Sequence, residues 1–211
     1  MGTERELWLN AVKNPHSPTL EHHLTVLTCL VLFGVASISV GINLALGMPL
    51  TVLWISLLAA IAFGGFYLLV RFTVPQYWHR LMLSYLGLGA LVLNWFPNNG
   101  ILGATPLLYS VLLVLAQAIL HRRDFWMFLG ACLLSLSLLF GMDLYYPEWN
   151  TPYSSVQAHK WDLYLTLLLV FSIAGGVFFC FRLLYEEEQR ALEQMTLYKS
   201  QFLAHMSHEL R

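Results

Sequence analysis

Long apolar runs alternate with short polar breaks along this chain, and most of the runs are as long as a bilayer requires. Six stretches stand out: Leu24–Leu46, Leu50–Val70, Leu81–Phe96, Ile101–Leu120, Phe125–Leu144 and Leu163–Phe181. A helix needs about 20 apolar residues to cross the hydrocarbon core, where backbone N–H and C=O groups must be satisfied within the segment. The breaks carry turn chemistry. Gly47-Met48-Pro49 and Pro97-Asn98-Asn99-Gly100 favour chain reversal, and His121-Arg122-Arg123-Asp124 is too polar to bury. The pattern predicts an all-α integral membrane fold of six transmembrane helices paired as hairpins, the third being the shortest. The last helix is expected to continue into a cytoplasmic coiled coil.

The composition sharpens this picture. Hydrophobic residues make up 58% of the chain and charged residues 11%, against roughly 25% charged in soluble domains; a soluble core cannot absorb that excess. Residues 1–23 lack the apolar run and small-residue cleavage site of a signal peptide and are expected to stay as a cytoplasmic segment. Cys29, Cys132 and Cys180 lie in or beside apolar runs, so packing is expected rather than disulfide formation. Cys180, near a cytoplasmic helix end, is also a candidate redox sensor.

Charge placement sets the orientation. With the N-terminus inside, Arg5, Lys13, Arg71, Arg80, Arg122, Arg123, Arg182, Arg190, Lys199 and Arg211 face the cytoplasm, and Lys160 faces outside. That bias, with both ends cytoplasmic, requires an even number of spans, which six satisfies. Tyr77-Trp78, Trp95-Phe96, Phe125-Trp126 and Tyr145-Tyr146 fall where interfacial aromatic residues belong. The external segment from Tyr145 to Trp161 is too short to fold alone. Any stimulus is therefore expected to be read within the membrane or by this loop.

After the sixth run the chain turns to strong helix formers without Gly or Pro. Leu184, Ala191, Met195, Tyr198, Phe202 and Met206 recur at spacings of three, four or seven, the pattern of a helix that pairs with a partner. The alternative is a helix lying on the membrane surface. The acidic run Glu186-Glu187-Glu188 is poorly suited to anionic headgroups, which favours a homodimer seam.

The segment Phe202-Leu-Ala-His-Met-Ser-His-Glu-Leu-Arg211 resembles the H-box of bacterial membrane-bound sensor histidine kinases, and it follows a transmembrane helix and a linker as in that family. The resemblance covers residues 202–211 and, with the linker, residues 182–211. It implies that His208 is the phosphoacceptor and Glu209 the adjacent carboxylate that orients the ring or takes up its proton; His205 is not implied. A neutral imidazole nitrogen is a suitable nucleophile for a phosphoryl group and can pass it on to an aspartate. The family's donor is ATP with Mg²⁺ on a separate catalytic domain. Neither that domain nor the Thr-Pro pair and second helix expected after the H-box lies within these residues, so the chain alone is expected not to autophosphorylate. The implied partners are a second copy of the chain, a response regulator or receiver domain, membrane lipids and a small lipophilic signal; nucleic acid is not among them. The implied location is the bacterial inner membrane.

Polar groups within apolar runs are costly and therefore functional candidates. Asn43, Asn94, Trp95, Tyr109 and Asp143 all fall toward the outer ends of their runs and could bind a small amphiphile, with the two aromatic residues as walls and the others as hydrogen-bonding partners. Interhelical hydrogen bonding is the plainer role for each. His205 with His208, and His22 with His23, lack suitably spaced further ligands, so no metal is expected. Gly175-Gly176, in the run nearest the tail, would permit a bend. A transporter or scaffold with a helical tail is the alternative class, and it calls for ionisable residues or broken helices at mid-membrane.

Overall fold

The computed structural model describes residues 18–73, 77–179, 182 and 189. The linker and H-box, with His205, His208, Glu209 and the expected coiled coil, lie outside the described residues, as does Cys180. Residues 21–175 form one compact unit, and the packing described below lies within it.

Among the described residues six α-helices follow one another: α1 (Pro18–Ala45), α2 (Leu50–Phe72), α3 (Tyr77–Asn94), α4 (Thr105–Ile119), α5 (Arg122–Tyr145) and α6 (Val156–Phe179). No strand occurs among the described residues. Four helices hold a segment long and apolar enough to cross a membrane: Leu24–Ala45 of α1, and α2, α5 and α6 over their whole lengths. The other two fall short. The 18 residues of α3 open on Tyr77-Trp78-His79-Arg80 and close on Asn94. The 15 residues of α4 rise only about 22 Å, less than a ~30 Å hydrocarbon core.

Every helix but α2 starts away from its expected residue: α1 begins at Pro18 rather than Leu24, α5 begins at Arg122 rather than Phe125 and buries Asp124, which was expected to be too polar to bury, and local chemistry explains the other three. The start of α3 moves back to Tyr77, where the Tyr77 hydroxyl donates to Asp124 Oδ1 at 2.8 Å and ties the helix to α5. Thr105, not Ile101, opens α4, because Pro106 suits a first turn and residues 100–102 are taken up by a 3₁₀ turn. The first residue of α6 is Val156 rather than Leu163, because the Ser155 hydroxyl accepts the Ala158 N–H at 3.0 Å and caps the helix.

Between α1 and α2, Gly47 takes the left-handed conformation (φ 63°). Its N–H donates to Leu44 O (3.2 Å), and that of Met48 donates to Asn43 O (2.9 Å). This is a Schellman closure, which satisfies the last helical carbonyls and holds Asn43 in place.

The core gathers on α3, which packs against α2, α4 and α5. Leu88 and Trp95 of the α3 segment, Tyr109, Leu112 and Ala116 of α4, and Phe128, Cys132 and Leu139 of α5 form its centre. Tyr85 meets Phe128 edge-on at 5.4 Å, and Trp95 meets Tyr109 at 6.4 Å, geometries worth about 0.5–1.5 kcal/mol beyond area burial. Cys29 and Cys132 are buried and free. The outer surface stays apolar: Leu44, Leu58, Phe72, Leu134 and Phe171 are all exposed. Such a surface is compatible with a membrane protein.

α3 and α4 approach each other closely at Gly87, where an added Cβ would stand 2.6 Å from Leu112 Cδ1. Leu112 is itself buried and must shift to admit a larger side chain. Gly87→Leu is expected to cost about 1–3 kcal/mol through overpacking and to lower the thermal midpoint of the detergent-solubilised protein. An unchanged midpoint would contradict this packing.

Candidate functional site

A cavity of ≈ 100 Å³ lies among α1, α2, α3, α4 and α6. Its walls are mostly apolar, with Leu32, Ile55, Phe63, Leu91 and Leu108 among the lining residues. Polar groups reach it from two directions. On one side, Asn43 Nδ2 of α1 donates to Ser56 Oγ of α2 at 3.0 Å, and both side chains are buried. On the other, Asn94, Asn98 and Asp162 share one polar wall.

That wall is organised by the Thr105 hydroxyl, which is fully buried. Its oxygen stands 3.4 Å from the Asn94 carbonyl, 3.3 Å from Asn94 Nδ2 and 3.1 Å from Asn98 Nδ2. A hydroxyl has one proton, which goes to the carbonyl. Both amides must therefore present NH₂ groups to it, which fixes their orientations. Asn98 Oδ1 then faces the Tyr153 hydroxyl at 3.2 Å, and that hydroxyl donates to Asp162 Oδ2 at 2.5 Å. One chain of hydrogen bonds thus joins the end of α3, the start of α4, the loop before α6, and α6.

Sequence accounts for the placement. Asn99 (φ 62°) and Gly100 (φ 58°) both take left-handed conformations that turn the chain after Trp95, as short polar side chains and glycine allow. The Gly100 N–H closes the turn on Trp95 O at 2.9 Å. The Thr151 N–H donates to Phe96 O at 3.0 Å and draws the α5–α6 loop over the turn. His159 Nε2 donates to Leu102 O at 2.7 Å, and its ring stacks on Tyr153 at 4.6 Å. Burial, and then the hydrogen bond to Asp162, pushes the Tyr153 phenol above its ordinary pKa. It therefore stays a donor across the physiological range.

Asn43 and Asn94, two of the five residues expected around a ligand, line the cavity. Trp95 and Tyr109, expected as its walls, belong to the core among α3, α4 and α5, and the Tyr109 hydroxyl is 3.3 Å from Ser135 Oγ. Asp143 is buried apart from the cavity. It accepts hydrogen bonds from Asn150 Nδ2 and, at 3.4 Å, from the Ile101 N–H. Asn98 and Asp162 are not candidates from sequence, since Asn98 reads as part of a turn and Asp162 falls between the external segment and the sixth apolar run. A helix phased back from Leu163 would have found the second: Asp162, Thr166 and Leu169 recur at i, i+4 and i+7 and all line the cavity. Among the described residues no group of three or more His, Cys, Asp or Glu could hold a metal ion.

Comparison with protein-family models, with curated proteins and with solved structures finds no match.

Removing the Thr105 hydroxyl leaves two buried amides without their shared acceptor. Thr105→Val is expected to lose about 1–3 kcal/mol for each group left unpaired, whereas Thr105→Ser retains most of the stability. Thermal unfolding of both variants in detergent checks this, and equal midpoints for Val and Ser would contradict it.

Proposed function

We propose that this chain is the membrane-embedded input region of a sensor histidine kinase, with His208 as phosphoacceptor and Glu209 as its orienting or proton-accepting carboxylate. The observation that carries the reading is the run Phe202–Arg211, which resembles the H-box of that family. Four helices long and apolar enough to cross a membrane, and the distribution of Lys and Arg, support it; in this reading all six helices cross and both ends are cytoplasmic. The short α3 and α4 are tolerated because other helices surround them. The tail pairs with that of a second copy, in keeping with the spacing of its apolar residues.

In this reading a neutral imidazole nitrogen of His208 attacks the γ-phosphorus of ATP, the β–γ bridging bond breaks, and ADP leaves. The phosphoryl group then passes to an aspartate of a response regulator. ATP and Mg²⁺ belong to a domain outside this chain, and it is that domain which positions the transfer. The cavity supplies the place for a stimulus. Asp162, Thr166 and Leu169 bring α6 to it, and α6 is the described helix from which the chain runs on toward His208. Occupancy of the cavity is converted into a change at the phosphoacceptor through that helix.

One observation favours a second reading. Asp162 is an ionisable group buried against an apolar cavity, a feature that transporters use. The test separates the two. Membranes carrying the protein with its natural C-terminal continuation are given radiolabelled ATP and Mg²⁺. Acid-labile phosphate is expected in the wild type and is expected to be lost, at least about a hundredfold, in His208→Gln. Equal labelling of the two proteins, or none in a folded, ATP-binding protein, sinks the kinase reading and leaves the transporter.

A further inference from the structure

The polar wall of the cavity holds more acceptors than its hydrogens can satisfy. Asn94 Oδ1 is buried and has no hydrogen-bond partner. The Tyr153 hydroxyl has one proton to share between Asp162 Oδ2 at 2.5 Å and Asn98 Oδ1 at 3.2 Å. The nearer oxygen takes the larger share, and Asn98 Oδ1 is left with the longer, weaker arm. Asn94, Asn98 and Asp162 all line the cavity.

Charge points the same way. Asp162 is only 4% exposed, and no Lys or Arg lines the cavity. The groups that face Asp162 are the Tyr153 phenol and, one helical turn away, His159, whose Nε2 is committed to Leu102 O. A carboxyl group taken out of water stays neutral unless a cation and further donors offset the lost hydration of its ionised form. The remaining walls are apolar, and the volume of ≈ 100 Å³ is well beyond the ~10–15 Å³ that a single water needs. The occupant that matches is small, carries positive charge and several N–H donors on one end, and is apolar on the other.

We propose that this cavity is a binding site for a small primary alkylammonium ion, its N–H groups directed at the oxygens of Asp162 and Asn98 and its alkyl group among the aliphatic side chains of α1, α2 and α4. As the stimulus of a sensor kinase this rests on the function proposed above. Occupancy of the cavity does not, and it is occupancy that the experiment reads.

Three photoreactive diazirine probes with the same four-carbon body, a butylamine, a butanol and a butyrate, are applied to the purified full chain in lipid nanodiscs, and labelled peptides are mapped by mass spectrometry. The amine is expected to label cavity-lining residues roughly tenfold or more above the alcohol, as a buried charge pair implies. The butyrate should give no cavity labelling, and excess butylamine should compete the amine away. Asp162→Asn is expected to bring amine labelling down to the level of the alcohol. Ala59→Leu, which fills the cavity, should abolish it and keeps the test decisive if the Asp162 variant fails to fold. Equal labelling by amine and alcohol, cavity labelling by the butyrate, or undiminished labelling of folded Asp162→Asn would overturn the proposal. His208→Gln should leave labelling unchanged, so a failure of the kinase reading and a failure of this inference give different results.

Discussion

One buried hydroxyl ties the end of α3 to the start of α4. Thr105 accepts from the amides of Asn94 and Asn98 and donates to the Asn94 carbonyl. Nothing solvates polar groups in an apolar surround, so each amide must find its partner within the protein. Thr105 orients both of them, and Asn98 in turn faces Tyr153, which binds Asp162. The end of α3, the turn, the loop and α6 are thus held by a chain that loses most of its members if one is removed.

The same constraint explains where the short helices lie. With ends too polar or a body too short for a span of its own, α3 and α4 pack at the centre of the core with α5, and α3 also meets α2. The long apolar helices α1, α2, α5 and α6 turn many of their large side chains outward. The polar residues at the ends of α3 and α4 are therefore enclosed by protein, and there they build the wall of a cavity. Trp95 Nε1, buried without a partner, is a cost of this arrangement, offset by the packing of its ring on Tyr109.

Much of the fold was legible in the sequence because apolar length and turn chemistry are local signals. Among the described residues a helix occupies each of the six apolar stretches, four of them long and apolar enough to cross a membrane, and the breaks at Gly47 and Asn99-Gly100 are left-handed turns for the reasons their residue types suggest. The bounds of α3, α4 and α6 were less legible, since each is set by a partner distant in sequence or by a cap: Asp124 for Tyr77, the 3₁₀ turn before Thr105, and Ser155 for α6. The site was only half legible. Asn43 and Asn94 announce themselves as polar residues in apolar runs and do line the cavity, while Trp95 and Tyr109 look the same in sequence and lie in the core. Asp162 stayed hidden because its burial depends on Tyr153 and on a helix that begins earlier than the apolar run.

The cavity and the proposed signalling path share one joint, the contact between the loop and α6 at Tyr153 and Asp162. Its strength is measured most directly by a double-mutant cycle of Tyr153→Phe and Asp162→Asn, read as thermal stability in nanodiscs. The account predicts that the two substitutions are non-additive, with a coupling of about 1–3 kcal/mol. Strict additivity would show that the hydrogen bond does not hold α6 to the wall, and the link from cavity to output helix would fall with it.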